Sequence, residues 1–249
     1  MRHKAKVPAQ SSGKRSLQRG CGRRVPFVIF GPVNGALTGD FMFPDLARDD
    51  VFRLETPRLW LRWPRICDAA AIHKFCSRWE VARYTARIPH PYPEGSAERF
   101  VYAAREANSA GRDMTLVMTP IRGKSDAIGS ISLESRGTER LALGFALAPE
   151  AWGKGLATEA AVAVIDAAFA LTRTVEILAS VRVENEASQT VLGKCGFSRI
   201  GTGLQGAPAR GGLVECHSLR LARADWTGAV GVPRSVRRLD ARFVTASGR

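Results

Sequence analysis

From Arg53 onward the apolar and polar positions recur with a regularity that residues 1–52 lack. Arg58 to Arg62 alternates with period two and predicts a strand. Asp68 to Ser77 has helical spacing, with Asp68 near its cap, and Ser96 to Asn108 predicts a second helix with Ser96 as the N-cap. Arg99 then stands where a capping box would carry an acid. Between these helices, Ile88-Pro89-His90-Pro91-Tyr92-Pro93 is a stiff loop. Met114–Thr119, Ala127–Leu133 and Leu141–Ala148 read as three successive strands. A long Ala-rich helix follows over Ala157–Leu171, then a strand over Val175–Val181, a helix over Ala187–Cys195 and a closing pair of strands, Ile200–Leu204 and Val214–Leu221. No internal repeat emerges. The order predicts one mixed α/β domain over residues 53–226, between an extension (1–52) and a tail (227–249).

The join between the third of those successive strands and the Ala-rich helix carries the chemistry. Trp152-Gly153-Lys154-Gly155-Leu156-Ala157-Thr158-Glu159-Ala160 is a strand–turn–helix junction built from small residues. The first turn of a helix leaves its N–H groups without intrahelical partners and carries partial positive charge. Small residues let a pyrophosphate approach those groups, so residues 153–158 predict a phosphate-bearing cofactor. A P-loop would need Ser or Thr after Gly-Lys, and Gly155 stands there. A dinucleotide fingerprint would need a third glycine where Thr158 stands, and Glu176 lies at the start of the next strand rather than its carboxyl end. Coenzyme A, whose pyrophosphate also needs a backbone cradle, is the third reading.

A second stretch, Val181-Arg182-Val183-Glu184-Asn185-Glu186-Ala187-Ser188-Gln189-Thr190-Val191-Leu192-Gly193-Lys194-Cys195-Gly196-Phe197, reads as strand, Asn-containing turn, short helix and glycine stop. Leu54-Glu55-Thr56-Pro57-Arg58-Leu59-Trp60-Leu61-Arg62 opens the regular region. Together the three segments resemble the GNAT superfamily of acyl-CoA-dependent N-acetyltransferases, and within it the RimJ/RimL branch. The likeness covers about residues 52–226 and is weak on substrate. It implies the GNAT fold, a twisted mixed sheet flanked by helices, and acetyl-CoA as cosubstrate with no metal. It further implies cofactor contacts at the backbone of Phe145 and Leu147, at Trp152, Gly153, Lys154, Gly155, Leu156, Ala157 and Thr158, and at the side chain of Asn185. Asn185 also has the chemistry of an Asx turn capping the next helix, and Trp152 is expected to pack.

Acetyl transfer to an amine needs a neutral nucleophile, donors for the thioester oxygen and a proton for the departing thiolate. The resemblance places Ser188 near the sulfur, where Leu192 stands in place of a tyrosine common in other branches. Ala142-Leu143-Gly144-Phe145 occupies the segment where many relatives read E-I-G-Y, so the expected base is missing. A water chain or another residue must then deprotonate the amine, and the candidates are Glu134, at the end of the preceding strand, His90, in the Pro-rich loop, and His217, on a late strand. His217 alternates with apolar neighbours and reads as a satisfied core histidine.

The formal charge of +14 invites a nucleic-acid reading. However, residues 1–24 hold eight Lys/Arg and no acid, and residues 227–249 hold five Arg and one Asp, which leaves +2 for residues 25–226. Weak contact with nucleic acid or the ribosome is therefore a reading for the basic ends alone, and a solvated end is the plainer one. Met42 is the next methionine, and residues 1–41 read as dispensable. Five widely spaced cysteines form neither a disulfide framework nor a metal-ligand pattern, so reduced thiols in a cytoplasmic protein are expected, with Cys195 and Cys216 as small core residues. No apolar run is long enough to span a bilayer. The composite expectation is a cytoplasmic N-acetyltransferase, monomer or homodimer, acting on a small-molecule or peptide amine. The alternative is a degenerate CoA-binding sensor or scaffold that has lost turnover.

Overall fold

The computed structural model describes residues 52–226; the basic extension and tail lie outside the described residues. Strand β1 (Arg53–Glu55) turns at Thr56-Pro57 into β2 (Leu59–Arg62). A 3-10 turn at Ile66–Asp68 leads into α1 (Ala69–Cys76), followed by the one-turn α2 (Trp79–Ala82) and α3 (Ser96–Ser109). Then come β3 (Asp113–Pro120), β4 (Gly129–Ser135), β5 (Arg140–Leu147), α4 (Leu156–Leu171), β6 (Glu176–Arg182), α5 (Glu186–Lys194), β7 (Ser198–Ala207) and β8 (Gly212–Ala222). Every element expected from periodicity is present, with ends shifted by a few residues at most. The sequence reading missed β1 and α2, which are three and four residues long. Elements this short carry barely more than one strand or helical period, too little for a repeat to be detected. Ser96 is a correction: it is the first helical residue, and Gly95, at φ +73°, takes the cap position. The Ser96 hydroxyl instead accepts from Arg99 at 2.7 Å.

The eight strands form one sheet in the order β1-β2-β3-β4-β5-β6-β8-β7. All neighbours are antiparallel except β5 and β6. That parallel pair needs a crossover connection, and α4 supplies it. One face of the sheet packs Leu59, Leu61, Leu116, Met118, Ile131, Leu133, Leu141 and Ile177 against α4 and α5. Alternate residues point the other way, so Val117 of β3 joins Ile72, Phe75 and Val101 of α1 and α3 in a second cluster. Burial runs unbroken from Thr158 to Ile165, so α4 is covered all round there. The Ala-rich sequence suits that position, because small side chains let a helix lie close to a sheet. Each buried Leu or Ile of this core contributes about 1.5–3 kcal/mol relative to exposure.

The feature that positions the site is where the parallel ladder stops. The β5–β6 pairing runs only from Arg140↔Glu176 to Leu143↔Ala179. β5 stays paired with β4 as far as Leu147, and β6 stays paired with β8 as far as Arg182. The two halves of the sheet therefore part after Leu143 and Ala179, and each strand keeps its outer neighbour.

Candidate active site

The parting opens a cleft of about 1030 Å³. Its first wall is the free edge of β5. The Ala148 amide donates to Ile128 on the β4 side. Strand alternation then turns the Phe145 and Leu147 N–H groups toward the opening. Both residues line the cleft. The indole N–H of Trp152 donates to the Leu147 carbonyl at 2.9 Å, which holds the half-exposed tryptophan against the strand end. Trp152 thus packs as expected, while also bordering the cleft.

The floor is the turn into α4. A 3-10 turn at Pro149–Ala151 separates β5 from it, a step not expected from sequence. Gly153 and Gly155 take φ values of +70° and +73°, a region that side chains resist. A β-carbon on Gly153 would meet nothing within 4 Å, and one on Gly155 would come no closer than 3.6 Å to Arg58. The protein itself leaves this space open. The first α4 hydrogen bond runs from Glu159 N–H to Gly155 O, so the N–H groups of Leu156, Ala157 and Thr158 have no intrahelical partner. All three residues, with Gly153 and Gly155, face the cleft. Lys154 is exposed and does not line it.

The far wall is the start of α5. Asn185 caps it, its Oδ1 accepting from the Ser188 amide at 3.1 Å. The capping role thus takes the oxygen and leaves the Nδ2 group for a ligand. Ser188 lines the cleft, half-buried. Glu134 stands at the other end on β4, in register with Ala142 of β5. The carboxylate absent from β5 thus has a counterpart one strand over. Glu134 is paired with Arg87 and with Arg136, the latter at 2.8 Å. Burial opposes its ionisation, but the two guanidinium groups outweigh burial and hold the carboxyl below its usual range. Across β3–β4, Asp113 is the register partner of Glu134, and burial pushes its carboxyl upward. Asp113 also lines the cleft and was missed by sequence reasoning. His90 is brought no nearer: it is exposed, packs its ring 5.2 Å from that of Trp79, and lies outside the cleft lining. His217 is half-buried rather than in the core, with Nδ1 2.7 Å from the Thr202 hydroxyl. Cys195 and Cys216 are buried.

Sequence reasoning also missed the group that fixes the turn. Glu159, one turn into α4 and 6% exposed, accepts from the Thr56 hydroxyl at 2.6 Å, the Arg58 amide at 2.8 Å and Arg58 Nε at 2.6 Å. The same guanidinium donates to the Lys154 carbonyl at 2.8 Å. The β1–β2 turn is thereby bolted to the glycine turn. A carboxylate this close to an anion site would repel its ligand unless neutralised, and that requirement was the available signal for an arginine partner.

A cleft with a free strand edge, a glycine-lined helix start and a capped second helix fits a pyrophosphate followed by an amide-bearing arm. The comparisons agree. Residues 58–198 match the model of the acetyltransferase (GNAT) domain. The chain belongs to the GNAT acetyltransferase family. It is 25% identical over 177 residues to an uncharacterized N-acetyltransferase, p20, of Bacillus licheniformis, covering 70% of this chain and 98% of that one. Among solved structures, a GNAT-family acetyltransferase from Bacillus anthracis superposes with a TM-score of 0.60 at 23% identity, over 69% of this chain and 98% of the other. Mycobacterium smegmatis RimJ, solved with a CoA disulfide, superposes with a TM-score of 0.59 at 21% identity, over 72% and 89%. Among the described residues no group of three His, Cys, Asp or Glu is placed to hold a metal, and no helix is long and apolar enough to cross a membrane.

Proposed function

We propose that this N-acetyltransferase moves the acetyl group of acetyl-CoA to a primary amine by direct attack in a ternary complex. The observation that carries the reading is the convergence of two sets of unused main-chain donors on one cleft, those of Phe145 and Leu147 on the parted strand and those of Leu156, Ala157 and Thr158 at the start of α4. The α4 donors and the open glycine turn suit the diphosphate. The strand donors suit the pantetheine amides and the thioester oxygen, where they would stabilise developing negative charge. Asn185 Nδ2 would add a donor to the arm, and the Ser188 hydroxyl is suited to return a proton to the thiolate. Glu134, kept charged by two arginines, is suited to take up the amine's proton through water. An α-amine, with an ordinary pKa near 8, needs less of that help than a lysine near 10.4.

Gly155→Glu tests the reading by calorimetric titration with CoA, alongside a CoA-release assay on the unaltered protein over a panel of amines. The variant should lose CoA binding while the parent releases CoA with an amine present. Unchanged affinity in the variant would remove the cradle from the argument. The double pairing of Glu134 gives a second reading some support, that of a CoA-binding module without turnover. Tight CoA binding with no release on any amine would favour it.

A further inference from the structure

Resting on that reading, the charges of the cleft carry the argument to the acceptor. Three carboxylates line it, and two of them are tied up by arginines. Glu80 is bound by Arg78 at 3.0 Å. Glu134 is bound by Arg87 and Arg136. Asp113 accepts the Ser135 amide at 3.0 Å but has no ion pair among the described residues, and burial with Glu134 nearby opposes its charge. The cations are not balanced in return. Arg182 is paired with Glu184 at 3.0 Å, but Arg99 and Lys194 have no carboxylate within 4 Å among the described residues. Arg99 stands on α3, and it lines the cleft together with Ile88, Pro89 and Tyr92 of the Pro-rich loop. Arg99 is exposed; one nitrogen of its guanidinium donates to Ser96 Oγ at 2.7 Å, and the other lies 3.3 Å from where a β-carbon on Gly95 would sit. Gly95 provides that room. A guanidinium so placed still has donors for a carboxylate.

We infer that the acceptor is an amine that also bears a carboxylate, and that Arg99 is the specificity residue that reads it. A polycation such as a polyamine or an aminoglycoside would bring further positive charge into a cleft where two of the three acids are already paired. That arrangement selects against such amines as well as for an anionic one. The carboxylate could belong to a free amino acid or to an acidic residue near a peptide amino-terminus; the chemistry at Arg99 is the same.

The test is CoA release by the full chain with five kinds of acceptor: free amino acids, their carboxamides, peptides starting with acidic residues, the matched peptides with Gln or Asn, and spermidine. The carboxylate-bearing member of each pair should have kcat/KM on the order of tenfold above its amide, the worth of one charged hydrogen bond. Whether the free or the peptide pair shows the difference identifies the source. Arg99→Gln should erase the preference by raising KM for the carboxylate member, with the amide and the CoA affinity unmoved, whereas Arg99→Lys should keep part of it. Spermidine as the best substrate, or equal loss on both members of a pair in Arg99→Gln, would overturn the inference while leaving CoA binding and acetyl transfer intact. Absence of CoA binding would instead sink the functional reading beneath it.

Discussion

Substituting Glu159 by Gln changes one atom and one charge in the cluster that holds the glycine turn. The amide oxygen can keep the Thr56 hydroxyl and the Arg58 amide, now at 2.6 and 2.8 Å from Oε1. The amide nitrogen then faces Arg58 Nε, which lies 2.6 Å from Oε2 in the parent, so two donors confront each other. A hydrogen bond to a charged group is worth about 1.5–3 kcal/mol, and leaving a buried donor unsatisfied costs about 1–3 kcal/mol. The Arg58 side chain is 50% exposed and can swing to water, which favours the low end, about 2 kcal/mol. For a domain of this size that corresponds to a fall of about 4–8 °C in Tm. Arg58 would also release the Lys154 carbonyl, now 2.8 Å from its guanidinium. Losing that tie should loosen the turn by about 1 kcal/mol, roughly fivefold in CoA affinity. Thermal melting by circular dichroism and calorimetric titration with CoA, well below the melting range, read the two effects separately. A lower Tm with unchanged CoA affinity would refute the idea that the cluster aims the turn, and an unchanged Tm would refute the energetics.

Three further outcomes are expected. Gly155→Ala should cost about 1–2 kcal/mol, because φ is +73° while the nearest atom, on Arg58, sits at an ordinary 3.6 Å; Gly155→Asn should cost less, and chemical denaturation measures both. Asp113→Asn should raise Tm at neutral pH. Burial lifts the Asp113 carboxyl, so the folded state takes its proton at higher pH than the unfolded chain; the ionised form therefore subtracts stability above that range, the penalty fades as pH falls, and parent and variant should converge near about pH 4. Among the described cysteines, Cys67 should label first with a thiol reagent in peptide mapping, since it is exposed, whereas burial pushes the Cys76 and Cys195 thiols up to about 12. Equal labelling of Cys195 in the native protein would contradict its burial.

Much of the fold could be read from local periodicity because most elements are long enough to show it. The 16-residue α4 and the strands on either side of the glycine turn were legible within a residue or two. So were the turn itself and the Asn185 cap, since both are encoded within a few consecutive residues. The 3-10 turn before Trp152 and the left-handed cap at Gly95 were not, because each depends on a backbone angle that several sequences can adopt. His90 looked promising only through its loop; the fold turns the ring onto Trp79 instead.

The remaining site residues were hidden for a different reason: their partners are distant in sequence. Glu159 reads as an ordinary acid in the first turns of a helix until β2 brings Arg58 beside it from 101 residues away. Glu134 reads as a strand-end acid until the sheet places it across from Ala142 and brings Arg87 over from 47 residues away. Register is what turns these into chemistry. On an antiparallel pair, residues directly opposite share a face, so a carboxylate lost from one strand can be regained on its neighbour about 5 Å to the side. That displacement changes what the carboxylate meets. On β5, at Ala142, it would stand just before the point where the strands part. On β4 it falls within reach of Arg87 and Arg136, which keep it charged and weaken it as a direct proton acceptor. Under the proposed mechanism, a base so held acts best on an amine that is already partly neutral at working pH, so a Glu134 base would favour an acceptor with a low amine pKa over a lysine side chain.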